Sequence, residues 1–356
     1  MSVSFPVADH YGLNRILLVK LSSLGDIVHA LPLLEALRAG LGKQAHIAWA
    51  IRGKFAELLE GNPFLDAVYS LEDSSPESIL RFGKTLRNQR FDVTLDTQGL
   101  LVSGFITRLS GAPLRIGMDA NREGNAFFLT HPVVGAKQRI HMVDKLMGFC
   151  NAVGIPPLPV APQIYLVEGE KRTASALLAD AKRKGPVIGC IVGASTPEKT
   201  YPATQWVEVA RQLANQGAQV VLLGGTKEAE AAAEITAQSK GAITVNLVGK
   251  TPVRTLASTL ALCDIIVGGD SGPTHLAVSV GTPVVGLYGV TDPVRTGPQW
   301  GSAISLVLDY AEKDAPPETR RPRHSSLTDA LSRIPSKAVS DVAMELLRRA
   351  SVEKAS

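Results

Sequence analysis

The sequence predicts an α/β protein built from two doubly wound parallel domains. Short apolar runs alternate with helical stretches along most of the chain, the pattern of strands covered by helices on both faces. The alternation breaks once, from Gly154 to Pro162, where four prolines in nine residues read as a stiff linker, and then resumes. At 356 residues the chain is also too long for one compact core. The expected division is an N-terminal domain over residues 1–160, a second over 161–335 and a C-terminal helix over 336–356. Each domain would face a shared cleft with its strand carboxyl ends.

Taken in order, Arg15–Lys20 is an apolar run that ends in the polar turn Ser22–Asp26. A helical pattern follows, with Ile27, Leu31, Leu34 and Leu37 on one side. Strands are expected at 46–51, 67–70, 91–96 and 115–117, with helices at 55–59, 75–87 and 100–109 between them; Pro76 suits a first helical turn. Beyond the linker, helices at 170–184 and 202–215 and helices starting at Glu228 and Val253 alternate with strands at 186–192, 219–223, 244–247 and 263–267. Val284–Tyr288 reads as the last buried strand. Residues 311–324 read as a solvated, proline-rich surface loop, and 340–349 as an amphipathic helix.

Composition narrows the class. With 45% hydrophobic and 20% charged residues the chain is an ordinary globular protein. Its formal charge of +4 is evenly split, 16 basic against 14 acidic residues up to 165 and 21 against 19 beyond, which excludes a nucleic-acid-binding arm. Cys150, Cys190 and Cys263 are far apart, fit neither a disulfide framework nor a zinc site, and point to a reducing, cytoplasmic compartment. Residues 1–15, with Asp9 and no basic stretch before an apolar run, do not read as a secretory signal, and no run approaches the ~20 apolar residues that span a bilayer, although peripheral contact with a membrane surface stays open. No Asp-X-Asp pair and no metal-spaced ligand cluster occurs, so no metal is expected. Gly40–Ala45 matches a dinucleotide fingerprint but follows a helix and precedes a strand, the reverse of the required context.

Three turns at strand carboxyl ends carry unusual polar chemistry: Ser22–Asp26, Gly193–Lys199 and Gly269–His275. Asp270 follows a buried strand, Ser271 opens a helix, and that helix N-terminus suits an anion. An ordinary strand–helix turn with Ser271 as its cap is the alternative. Lys199, near the Ser195 and Thr196 hydroxyls, could hold phosphate oxygens, or be a solvated loop lysine. Asp26, beside Gly25, could take a proton from an attacking hydroxyl, or simply cap its helix.

Residues 20–32 (Lys-Leu-Ser-Ser-Leu-Gly-Asp-Ile-Val-His-Ala-Leu-Pro) resemble the N-terminal signature of the ADP-heptose:lipopolysaccharide heptosyltransferases, inverting glycosyltransferases of family 9. Residues 270–277 and 288–293 resemble the C-terminal signatures of that family. Residues 95–100 and 115–118 are closer to the heptosyltransferase I type. The similarity runs from about residue 15 to residue 300. It implies the GT-B fold, two Rossmann-like domains about a central cleft, and heptose transfer from ADP-heptose to a Kdo-bearing lipid A acceptor without a cofactor. It further implies Asp26 as general base, and Lys199 with Ser195 and Thr196 on the donor diphosphate. Glu228 would meet the ribose, Thr251 would lie near the adenine, and Asp270, Ser271, Gly272 and His275 would line the diphosphate and sugar. Acceptor contacts are expected at Ser23, Gly25, Arg115 and Arg122. The last two belong to a segment, residues 108–145, with six basic against three acidic residues. Competing expectations are a transferase with another donor or acceptor, a nucleotide-sugar epimerase, and a non-catalytic nucleotide-sugar-binding protein.

Overall fold

The computed structural model describes residues 13–118, 122–133, 140–182, 184–300, 303–307 and 330–355. Contacts divide the chain into two compact units, Met1–Tyr165 and Leu166–Ser356. The expected loop at 311–324 lies outside the described residues.

The first unit runs β1 (Arg15–Val19), α1 (Leu24–Leu41), β2 (His46–Arg52), α2 (Gly53–Ala56), β3 (Ala67–Leu71), α3 (Pro76–Arg87), β4 (Val93–Asp96), α4 (Leu101–Leu109), β5 (Leu114–Met118), β6 (His131–Val133) and α5 (Met142–Ala152). A kinked 3₁₀ segment, Arg122–Phe128, lies between β5 and β6. The order across the sheet is β3-β2-β1-β4-β5-β6, parallel at every pairing. Apolar β1 is central and buried, and α3 starts where Ser75 Oγ accepts the Ser78 N–H and Pro76 fixes the first turn.

The second unit runs α6 (Glu168–Leu177), α7 (Ala179–Lys182), β7 (Val187–Ile191), α8 (Ala203–Asn215), β8 (Gln219–Leu223), α9 (Ala229–Gln238), β9 (Ile243–Asn246), α10 (Val253–Leu262), β10 (Ile265–Gly269), α11 (Gly272–Ser279), β11 (Val284–Tyr288), α12 (Pro293–Thr296), β12 (Ala303–Val307) and α13 (Ser336–Ala355). Its order, β9-β8-β7-β10-β11-β12, repeats the first unit's pattern and is again parallel. In both units the strand order reverses next to the first strand, between β1 and β4 and between β7 and β10. A doubly wound sheet opens a crevice at such a reversal, outside the strand carboxyl ends.

Three differences from the sequence expectations have physical causes. Val284–Tyr288 is not the last strand, because β12 pairs beyond it. The strand expected at 263–267 lies at 265–269. Cys263 N–H still bonds to Leu260 O as α10 ends, and the glycines that look like a turn are strand residues pressed on both sides. A Cβ on Gly268 would meet Ile191 at 2.9 Å, and one on Gly269 would meet Lys199 O at 2.6 Å. The C-terminal helix is no appendage. Val339, Ala343 and Leu346 of α13 join the core formed by Ile188, Val209 and Val267.

All three cysteines are buried and free. Among the described residues no helix is long and apolar enough to cross a membrane.

The helix that opens the second unit is clamped by charge. Arg254 of α10 grips Glu170 of α6 with two bonds, Nε–Oε1 at 2.5 Å and NH2–Oε2 at 2.7 Å. Burial pushes the Glu170 carboxyl up, but Arg254 and the Val167 N–H outweigh it and hold it below its usual value. The carboxylate therefore contributes stability above the unfolded value of about 4.5, and that contribution is lost as pH falls through the lower folded value. Arg254→Ala should lower unfolding stability by about 3 kcal/mol, since it strands a charge in a largely buried pair. Urea denaturation at pH 7 and pH 4 checks this, and the loss should shrink at the lower pH.

Candidate functional site

In the second unit the loops leaving β7 and β10 meet at the reversal of strand order. Lys199 Nζ donates to Asp270 Oδ2 at 2.8 Å, and His275 Nε2 lies 3.2 Å from Asp270 Oδ1. Burial opposes the charge on Asp270, but His275 and Lys199 prevail and hold its carboxyl well below the usual carboxylate range. Lys199 is therefore not a solvated loop lysine: its side chain is 25% exposed and its charge is answered by Asp270. The backbone makes this possible. Only glycine at 269 lets the Lys199 carbonyl come so close, as the 2.6 Å separation from a built Cβ shows.

Ser271 occupies the N-cap position of α11 but makes no side-chain cap. Its Oγ instead lies 3.1 Å from Thr274 Oγ1, which donates to Gly269 O at 2.6 Å. Asp270, Ser271 and His275 are all buried, while Gly272 starts the helix and is half-buried. Ser195 and Thr196 are exposed and line a cavity of about 450 Å³ with Ala194, Pro197 and Thr200. Glu228 lies against Gly193, where no Cβ would fit, and its Oε2 accepts the Gly225 N–H at 2.8 Å. Thr251 follows β9 on a loop tied by Gly249 N–H to Gly224 O at 3.0 Å. Its Oγ1 is buried with no partner among the described residues. The structure thus gathers Lys199, Asp270, Ser271, Gly272 and His275 in one place; Ser195 and Thr196 lie on the same β7 loop, Glu228 reaches Gly193 of that loop from the turn after β8, and Thr251 follows β9, one strand further out.

In the first unit the reversal lies between β1 and β4. Asp26 is the third residue of α1, and its Oδ2 accepts both the Ser23 N–H at 3.1 Å and Ser23 Oγ–H at 2.7 Å. The capping role is therefore real. Both bonds fall on one oxygen, and among the described residues Oδ1 receives none. Burial raises the Asp26 carboxyl, while Lys20, the Ser23 donors and His29 lower it further, so that it sits below its usual value and is ionised at neutral pH. Ser23 is exposed beside it and Gly25 is buried.

Several groups that hold this end together were missed from sequence. Lys20 is buried, and its Nζ donates to Thr97 O at 3.0 Å. A lysine closing an apolar strand was the available signal, since lysine is rarely buried unless paired. Gln98 Oε1 accepts the Leu21 and Ser22 N–H groups at 3.1 and 3.2 Å, tying the β4 loop to the β1 loop. Trp49 Nε1 donates to Lys20 O at 3.0 Å from within the core. In the second unit the Tyr288 hydroxyl was missed. It is buried without a partner among the described residues, and burial together with the Asp270 charge pushes its ionisation far up.

Arg115 is not brought to Asp26. It sits near the amino end of β5, opposite Thr94, with its guanidinium donating to Phe128 O and Ala112 O, both at 2.8 Å. Arg122 lies at the start of the 3₁₀ segment, but its side chain, like Lys137 and Arg139, falls outside the description. Lys145 and His141 are buried on and beside α5, and the His141 ring meets His29 edge-on at 5.5 Å.

The family model for glycosyltransferase family 9 (heptosyltransferase) matches residues 79–323. The chain is 31% identical over 319 residues to lipopolysaccharide heptosyltransferase 1 of Pseudomonas aeruginosa, covering 83% of this chain and 84% of that protein. It is 30% identical over 336 residues to lipopolysaccharide heptosyltransferase 2 of Salmonella typhimurium, covering 88% and 94%. The solved structure of E. coli ADP-heptose lipopolysaccharide heptosyltransferase II matches with a TM-score of 0.78 at 27% identity, covering 94% of this chain and 99% of that one. The chain belongs to glycosyltransferase family 9; it is a glycosyltransferase, and its two Rossmann-like units are those of the GT-B fold.

The ion pair at the second reversal can be tested without any ligand. Lys199→Met should destabilise the protein by about 3 kcal/mol, because it leaves Asp270 buried with only His275. Adding Asp270→Asn to that variant should recover much of the loss. A double-mutant cycle from denaturant midpoints measures the coupling.

Proposed function

We propose that this heptosyltransferase of lipopolysaccharide core synthesis moves L-glycero-D-manno-heptose from ADP-heptose to the Kdo region of lipid A. The observation that carries the reading is the Lys199–Asp270 pair at the head of α11. It is a cation held in reserve by a carboxylate, beside a helix N-terminus, where a diphosphate can take over as partner. In this reading Lys199, with Ser195 and Thr196, meets the donor diphosphate, Glu228 the ribose and Thr251 the adenine. Asp270, Ser271, Gly272 and His275 shape the floor under the diphosphate and sugar.

The first unit supplies the base. The acceptor hydroxyl gives its proton to Asp26 Oδ1 as its oxygen attacks the anomeric carbon. The bond from that carbon to the diphosphate breaks, its electron pair leaves with ADP, and the centre is inverted. Lys199 and the α11 N-terminus stabilise the charge growing on the leaving group, which is where electrostatic catalysis acts most strongly. Ser23 and Gly25 adjoin the attacked acceptor. Arg115, with its guanidinium bonded to backbone carbonyls, is assigned to the support of its loop and not to the acceptor. The proposed setting is the cytoplasm, at the membrane surface that carries the acceptor.

The second reading is the type 2 reaction, onto an acceptor that already bears a heptose. It is favoured by the nearly equal identities to type 1 and type 2 relatives, 31% and 30%. Purified protein given ADP-heptose with Kdo₂-lipid A, or with its monoheptosylated form, decides between them by the mass of the product. ADP release with neither acceptor sends the reading back to another sugar acceptor.

Two variants should separate the halves of the reaction. Asp26→Asn keeps an acceptor for the Ser23 cap but no base, so turnover should fall ~10²–10⁴-fold with ADP affinity nearly unchanged. Gly269→Ala adds a Cβ 2.6 Å from Lys199 O and should weaken ADP binding roughly tenfold or more by displacing that lysine. Calorimetry with ADP and initial rates read the two effects. Because the counter-charge for the diphosphate comes from Lys199 and the helix, transfer should also persist in EDTA. Loss reversed only by Mg²⁺ or Mn²⁺ would contradict that assignment.

A further inference from the structure

We infer that the α3–α4 face of the first unit docks on an anionic lipid surface. Among the described residues large apolar side chains are exposed singly at Leu158, Val167, Val294 and Val352, but four others gather on three adjoining elements. Phe127, on the 3₁₀ segment, is 89% exposed, and Leu80, Leu101 and Phe105 are 53%, 49% and 36% exposed. Leu101 and Phe105 are four residues apart on one face of α4. The Phe105 ring meets Phe128 edge-on at 5.9 Å, which brings the neighbouring Phe127 to that helix, and Leu101 N–H bonds to Glu123 of the same segment at 3.2 Å. Leu80 stands one turn before Gly83, the residue that lets α3 approach Leu109 of α4 so closely that a Cβ would lie 2.6 Å away.

The charge around these side chains names the partner. Arg81, Lys84 and Arg87 on α3 and Arg108 on α4 are exposed, against exposed Glu77, Glu123 and Asp73, the last of which lies near Arg81. Protruding Phe and Leu beside long cationic stems is the arrangement that enters the headgroup region of a bilayer, with the charges left at the phosphates. A second copy of the chain is a poor occupant, because a two-fold contact would set this excess of cations against itself. The surface is independent of the residues assigned to transfer. It would hold the first unit at the membrane in which a lipid-linked acceptor lies, and only that consequence rests on the function proposed above.

The test is co-sedimentation of the full chain with vesicles of phosphatidylethanolamine and phosphatidylglycerol, or of phosphatidylcholine alone. Binding should require phosphatidylglycerol and weaken with salt. The pair Leu101→Ser/Phe127→Ser and, separately, Arg81→Glu/Lys84→Glu should each reduce it by roughly tenfold or more. Both variants should keep the wild-type circular dichroism, melting temperature and turnover on a delipidated acceptor. Binding that survives both variants, or no binding by the wild type, overturns the inference. So does a dimer in light scattering that the Phe127 variant dissolves. Surface-dependent vesicle binding by a protein inactive on every acceptor would leave the docking face standing and remove the proposed reaction instead.

Discussion

The Lys199–Asp270 pair is the contact around which the second unit's chemistry is arranged. A doubly wound sheet must open where its strand order reverses, and the two loops at that opening have no strand between them to hold their spacing. Here a charge pair bridges them. Its formation depends on small features elsewhere: Gly269 admits the Lys199 carbonyl, Gly268 admits Ile191 and Thr274, and His275 returns from α11 to the second oxygen of Asp270. In the reaction proposed above, an incoming diphosphate would compete with a carboxylate that already answers the Lys199 charge.

The first unit answers the same topological problem with side chains bonded to the backbone. Gln98 Oε1 receives two backbone N–H groups of the β1 loop, and Lys20 reaches across to Thr97 O. Asp26 then serves two purposes that looked exclusive in the sequence. Capping consumes one oxygen and, together with the Lys20 charge, keeps the carboxylate ionised, the state that the proposed base would require. In the proposed reaction the cap would orient the base.

Most of the fold was legible because parallel strands covered on both faces appear as uninterrupted apolar runs; Gln219–Leu223 and Val284–Tyr288 are visible in that way. Short pieces that owe their form to tertiary contact were not. His131–Val133 is a three-residue edge strand, and Gly268-Gly269 resembles a turn until the neighbours that crowd it are known. In the site, the loops were legible as polar interruptions at strand ends. What could not be read was pairing over long separations: that Lys199 answers Asp270, 71 residues away, or that Arg115 is turned to backbone carbonyls at the other end of its strand. A local excess of cations gave no sign of which ones were already engaged.

The indole of Trp49 has a use beyond packing. Of the chain's three tryptophans it is the one in the first unit, it is fully buried, and its N–H is bonded to the carbonyl of Lys20, where β1 gives way to the Asp26 loop. The energy of indole emission follows the local field and the strength of that hydrogen bond. The first unit therefore carries a native optical probe wired to the loop that bears Asp26. Its emission can be resolved from the other two by replacing Trp206 and Trp300 with phenylalanine, so that occupancy of this half of the enzyme becomes visible as a colour shift without a label.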